Sequence, residues 1–407
     1  MKIEKWKSGL AALGLAALAP ALSAQTTTNA PAPAPAAPAL VPLQTALSAT
    51  TISGYVDTSA VWNPGTGNAN PAPYAFNAGK QDGFNLDAVD IKIAKAEDDT
   101  PWAAGYVAEL SYGPDAIAID GGAYPIRQAY VEFKVPVGNG IDFQLGRWDN
   151  LLGYESSDSY KNPNFTRSYG YSFEPTEHTG LLATYKVNDS IQVQLGAADT
   201  LNTEAFGGVN ARSDGSPVVE SKKAIVSLLT LTAPTNWGAF SGSALYAGFD
   251  HGQGTYGHDE TEWYFGTTLN TPVKGLTGGA SFDLIDHMDL LTVAPLDSGY
   301  FYALAGYVSF AATDKLTLNA RAEWADGEAL SGLALADNGV PNPLHKVVAL
   351  TGTLQYNLWA NVISRLEIRW DHSASGADAF GGNGPLGTVA PDKKNEVLIA
   401  ANMIYKF

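Results

Sequence analysis

The side chains of this sequence that can do chemistry are charged residues set two apart. Arg321 and Glu323 alternate with Ala320, Ala322 and Trp324, and Arg365, Glu367, Arg369 and Asp371 alternate with Leu366, Ile368 and Trp370. In an extended chain a period of two puts one set on each face of a sheet. Rows of fixed charge facing an aqueous gap sort solutes by sign. Arg321, Arg365 and Arg369 are expected to form a basic ladder on one wall, because their segments are separated by a single intervening strand. Lys92, Glu109, Glu132 and Lys134 join the candidate set from other segments. The blander alternative is that all these charges only hydrate a lumen and pair with one another.

Other chemistry fails its context. Gly252-Gln253-Gly254-Thr255-Tyr256-Gly257 matches a dinucleotide fingerprint, but a strand follows it where the phosphate site requires a helix N-terminus. His251, His258, Asp259 and Glu260 lie on one short polar loop, which reads as solvated and not as a metal site. There is no GxSxG and no HExxH. With no cysteine, disulfides and thiolate sites are excluded. No cofactor is expected. With 24 Lys and Arg against 41 Asp and Glu, a net charge of −17, the chain is ill suited to nucleic acid.

The elements that must hold these residues are strands from Thr50 onward. Leu316, Leu318, Ala320, Ala322 and Trp324 share one face, and Thr317, Asn319, Arg321 and Glu323 the other. Sixteen such segments are read, near 50–62, 84–96, 102–112, 125–136, 140–151, 175–187, 190–200, 223–233, 238–249, 260–271, 275–287, 299–311, 315–326, 345–358, 361–373 and 394–407. The connections alternate long and short: 201–222, 327–344 and 374–393 are long, and 234–237, 272–274, 312–314 and 359–360 are short. A sandwich has no reason to sort its loops, whereas an outer-membrane barrel keeps short turns in the periplasm and long loops outside. The predicted fold is therefore all-β: a transmembrane antiparallel up-and-down barrel over 50–407, its apolar faces toward lipid with aromatics near strand ends (Trp62, Tyr112, Trp263, Tyr405, Phe407). About sixteen strands leave room for an aqueous channel.

Ahead of the strands, Lys2, Lys5 and Lys7 precede an apolar run to Ala24, broken at Pro20 and closing on Leu22-Ser23-Ala24, the layout of a secretory signal peptide over 1–24. Its removal leaves 21 basic and 40 acidic residues, a net charge of −19. Residues 25–49 are Pro- and Ala-rich and read as a periplasmic spacer or a disordered leader.

The end of the chain, Asn402-Met403-Ile404-Tyr405-Lys406-Phe407, resembles the assembly signal of bacterial outer-membrane barrels. Ile52-Ser53-Gly54-Tyr55-Val56-Asp57, Gly146-Arg147-Trp148, Leu152-Gly153-Tyr154-Glu155, Asn162-Pro163-Asn164-Phe165-Thr166-Arg167-Ser168 and His178-Thr179-Gly180, in that order, resemble the β-barrel porin-2 (OmpL-like) family. The resemblance covers most of the mature chain and implies an outer-membrane barrel without fixing a substrate.

By analogy with general porins, the long loop from Leu152 to Glu174 is expected to fold into the barrel and narrow it, bringing Glu155, Asp158 and Glu174 opposite the arginine wall. Arg147 falls on the parity of Phe143 and Leu145, a lipid-facing position unless Gly146 permits a bulge. The expected function is passive diffusion of small hydrophilic solutes and ions. Outer-membrane lipid and lipopolysaccharide are the expected partners outside, and a homotrimer or a monomer the expected assembly. The acidic net charge argues for cations and the arginine ladder for anions. The alternatives are a closed barrel with a structural or adhesive role, or an outer-membrane hydrolase.

Overall fold

A computed structural model describes residues 49–407 except 68, 78–79, 81, 99, 117–124, 202–222, 254–258, 290–297, 329, 331–342 and 385–388. The leader, nearly all of the spacer and His258 lie outside the described residues. The strands are β1 (Thr51–Trp62), β2 (Gly83–Lys95), β3 (Ala104–Tyr112), β4 (Ile126–Val135), β5 (Ile141–Asp149), β6 (Glu177–Asn188), β7 (Ile191–Ala198), β8 (Ala224–Thr232), β9 (Ala244–Gln253), β10 (Asp259–Asn270), β11 (Leu276–Asp289), β12 (Ser298–Ala311), β13 (Leu316–Gly327), β14 (Lys346–Trp359), β15 (Val362–Ser373) and β16 (Asn395–Lys406). Each pairs antiparallel with its sequence neighbours, and β1 pairs with β16, from Tyr55 opposite Lys406 to Trp62 opposite Ile399, which closes the sheet into a barrel. Closure satisfies every ladder hydrogen bond, the condition for a sheet to cross lipid. Strands of 8 to 14 residues bracket the ~9–11 that a tilted transmembrane strand needs.

The predicted strands match the observed ones within a few residues except at β9. The sequence reading begins it near 238, but a 3-10 segment, Thr235–Phe240, precedes it and extension starts at Ala244. Gly238 and Gly242 take φ of +59° and +78°, which interrupts the extended chain. The connection is correspondingly longer than the predicted 234–237, and it displays Trp237 and Phe240 to the surface, where aromatics anchor a barrel at the membrane interface.

The period-two pattern sets the faces. On β13, Leu318, Ala320 and Ala322 are exposed outward while Asn319, Arg321 and Glu323 are buried inward. On β15, Leu366 and Ile368 face out and Arg365, Glu367 and Arg369 face in. On β16, Ala401, Met403 and Tyr405 face out and Leu398, Ala400, Asn402 and Ile404 in.

The lumen departs from the purely polar face expected of it. Toward the long-loop end it holds an apolar cluster in which Ala303, Ala325, Val347, Ala349, Leu398 and Ala400 of the wall pack with Tyr74, Phe165, Tyr169, Phe173 and Phe380 of the loops. Small inward side chains leave space that the loop rings fill. At the short-turn end the lumen is open to water: the inward Lys92 and Lys134 side chains are 32% and 20% exposed.

Candidate functional site

The loop joining β5 to β6 (150–176) lies inside the barrel and is fastened to its wall mainly through charged side chains. Gly153 sits at φ +100°, and a Cβ there would lie 1.9 Å from Glu174 Oε2, so only glycine lets the loop turn inward at this point. The inward face of β13 and β15 then captures the loop backbone. Glu367 accepts from the backbone N–H of Phe165 (2.6 Å) and Thr166 (2.9 Å) and from the hydroxyls of Thr166 and Thr353. Glu323 accepts from the Tyr169 N–H at 2.8 Å. Arg365 donates to the carbonyls of Ser159 (3.0 Å) and Asn162 (2.7 Å). Arg369 donates to the Arg167 carbonyl at 2.6 Å and to Asp371, and its guanidinium stacks 3.7 Å from the Tyr74 ring. Arg321 donates to the carbonyls of Thr166 (2.7 Å) and Arg167 (3.0 Å) and forms 2.6 Å ion pairs with Glu155 and Glu323.

The basic ladder is therefore a clamp. Arg321, Arg365 and Arg369 lie together on one inward wall, 0–3% exposed, with their donors committed to the loop and to neighbouring wall residues. Of the three loop acids expected opposite them, Glu155 meets Arg321. Asp158 instead reaches the other side of the barrel, where it binds Arg127 of β4 and pairs with Lys161 at 2.7 Å. Burial opposes its charge, but Arg127 and Lys161 outweigh that and hold the carboxyl well below the usual carboxylate range. Glu174 packs against Gly153 and approaches Asp283 of β11.

The remaining candidates separate by height. Glu109, 1% exposed, accepts from Arg127 and from Gln128 (2.9 Å) and pairs with Lys92 at 3.0 Å. Lys134 stands at the short-turn end, 3.5 Å from both Glu97 and Asp142. Nearby, Glu132 accepts from the Glu97 N–H at 3.0 Å. Asp90, Glu109 and Asp158 bring carboxylate oxygens within 4.8 Å of one another, but Arg127 already bridges the last two, so this trio has its cation.

Several buried charges lie outside the set of candidates read from the sequence. Arg127 falls on the parity of Val131, which faces lipid; the register shift where Leu110 pairs with Ile126 turns it inward. At β5, Gly146 takes φ +133°, and Arg147, Trp148 and Asp149 are then all buried in succession, with Arg147 Nε donating to the Arg127 carbonyl at 3.0 Å. This resolves the expectation of a lipid-facing Arg147: the strand twists at the glycine. In both cases the signal available in the sequence was a charge on a lipid parity near a strand end. Lys80, in the loop after β1, gave no such signal. It is buried against Asp115 (2.9 Å) and Asp87 (3.5 Å); burial lowers its affinity for a proton, but Asp115, Asp87 and Asp57 outweigh that and raise it above the ordinary lysine value. The single polar loop read for His251, Asp259 and Glu260 is corrected: His251 lies within β9, paired with Thr261 and bonded to its hydroxyl at 2.8 Å, and Asp259 and Glu260 open β10, because the strands extend further toward the long-loop end than the sequence reading allowed.

A closed sixteen-stranded barrel with a long loop folded into its lumen and held by wall charges is the architecture of a porin. Residues 49–407 match the family model described as "Putative beta-barrel porin-2, OmpL-like", and the chain belongs to this family of outer-membrane β-barrels. No curated relative matches the sequence. Among solved structures it is similar in fold to Salmonella typhi OmpF in complex with daunomycin, with TM-score 0.57, 13% identity, and coverage of 88% of this chain and 97% of that one. It is also similar to an anion-selective porin from Comamonas acidovorans, with TM-score 0.56, 11% identity and coverage of 88% and 97%. The trimer form of in-vitro folded OmpT from Vibrio cholerae aligns with TM-score 0.53, 14% identity and coverage of 88% and 99%.

Proposed function

We propose that this protein is an outer-membrane porin that passes small hydrophilic solutes and ions by diffusion down their gradients, with the loop 150–176 setting the aperture. The observation that carries this reading is the loop itself, held across the lumen by Glu367, Arg321, Arg365 and Arg369 on one side and by Arg127 on the other. A loop fixed on both sides of a lumen sets an aperture, because the width of the gap depends on where the loop is held. Export by the N-terminal leader and assembly as a homotrimer belong to the same proposal.

A second reading has its own support. The apolar cluster of Phe165, Tyr169 and Phe173 with the wall fills the long-loop end of the lumen, which favours a barrel closed at rest. Single-channel recording of the folded protein in a planar bilayer separates the two. Steady current steps are expected. A folded, inserted barrel that passes no current overturns the porin reading and leaves the closed barrel.

A further inference from the structure

We infer that the wall formed by β9, β10 and β11 beneath loop 150–176 binds small cations and makes the channel prefer them. The inference rests on the channel reading above. On the β13–β15 wall the charges are matched: Arg321 with Glu155 and Glu323, and Arg369 with Asp371. The β9–β11 wall is not matched. Asp250 and Glu262 stand directly opposite one another across β9 and β10, and Asp283 is paired with Tyr264, one step along the same inward row. These three acids are 0–1% exposed.

His178 accounts for Asp250, with Nε2 3.2 Å from Oδ2 while Nδ1 lies 3.4 Å from the Thr200 carbonyl. Nothing comparable serves the other two. Neither carboxylate oxygen of Glu262 has a hydrogen-bond partner among the described residues, and the charges around it are Asp250, Glu174, Asp283 and Glu260, all acidic. Asp283 meets another carboxyl, that of Glu174, and a bond between them needs a proton on one; Glu155 adds further negative charge. The Tyr264 hydroxyl, wholly buried, also lacks a partner there. Loop 150–176 lies directly on the cluster: a Cβ on Gly170 would come within 2.3 Å of Asp283 Oδ2.

Carboxylates cannot remain ionised together out of water without a counter-charge. No Lys or Arg among the described residues is paired with Glu262 or Asp283. On this inference the counter-charge is a cation taken from solution, in place of a proton shared between the carboxyls. Among the described residues the carboxylate trio whose oxygens lie within 4.8 Å of one another is Asp90, Glu109 and Asp158, so Asp250, Glu262 and Asp283 are spaced more widely. That spacing suits an alkali or alkaline-earth ion that keeps part of its water, not a bare ion ringed by three carboxylates. A cation that reaches these carboxylates exchanges hydration for carboxylate contact, while an anion meets only repulsion.

The test is the reversal potential of the full-length folded protein in a planar bilayer under a KCl gradient. The wild type is compared with Glu262→Gln, with Glu262→Gln plus Asp283→Asn, and with Asp314→Asn on the turn before β13 as a control. Heat-modifiable electrophoretic mobility establishes that each barrel is folded, and the single variant serves where the double variant fails to fold. A K⁺ preference is expected in the wild type, reduced about threefold or more in the double variant, partly reduced in the single variant and unchanged in the control. Equal permeability ratios in wild type and folded variants overturn the inference, shared protons then being the counter-charge, and leave the channel reading standing. Absence of current from the inserted wild type overturns both.

Discussion

Replacing Arg321 with Ala should unfasten the loop and leave the barrel intact. The guanidinium is fully buried and pairs with Glu155 and Glu323 at 2.6 Å while donating to the carbonyls of Thr166 and Arg167. Removing one partner of a buried ion pair costs about 3–5 kcal/mol, because the other charge is left uncompensated. Here Glu155 loses its cation while Glu323 keeps Arg369 at 3.8 Å, and Glu155 sits on a loop that can lift and rehydrate it, so the lower figure applies. About 3 kcal/mol corresponds to a shift of roughly 150-fold in the balance between held and released loop. The ladder bonds of β12–β14 involve backbone only and are untouched. Hydrogen exchange reads the result directly, because the amides of Phe165, Thr166, Ser168 and Tyr169 all donate to carboxylates of Glu367, Glu155 or Glu323. In detergent-folded protein these amides should exchange roughly 100-fold faster in Arg321→Ala, with strand amides unchanged, and single-channel conductance should rise. Unchanged exchange at these four amides in a folded Arg321→Ala barrel would refute the clamp.

Two further outcomes follow from the geometry. Gly153→Ala forces a Cβ into a φ of +100° and against Glu174, and should cost about 1–3 kcal/mol of loop stability, seen as protease cleavage within 150–176 in a barrel that keeps its heat-modifiable mobility. At the short-turn end, burial and the neighbouring Asp142 push the Glu97 carboxyl up to about 7. Because this value lies above the unfolded one, the stability that protonated Glu97 contributes is complete below about pH 4.5 and is lost as pH rises through about 7. A carboxyl titration by NMR should place its midpoint near neutrality, and Asp142→Asn should lower it; a midpoint unmoved by that substitution would exclude Asp142 as a cause.

What the sequence determined by itself is the wall. Alternation of Leu366, Ile368 and Trp370 with Arg365, Glu367 and Arg369 assigns faces through the pleat, which depends only on local backbone geometry. The sorting of long and short connections assigns the two ends. Both signals are local, so strand number and barrel closure are legible in the sequence, apart from the start of β9, where Gly238 and Gly242 break the extension. Only the tertiary structure decided what fills the barrel. Arg321 and Glu155 are 166 residues apart in the chain and Phe165 and Glu367 are 202 apart, and no periodic pattern in an irregular loop encodes such partners. The same holds for Asp158, which passed the arginine wall to reach Arg127, and for Arg127 and Arg147, which a register shift and a glycine twist turned inward. Face is set by neighbours two residues apart. Partnership inside a closed barrel is set by where a folded loop comes to rest against a wall built from the rest of the chain.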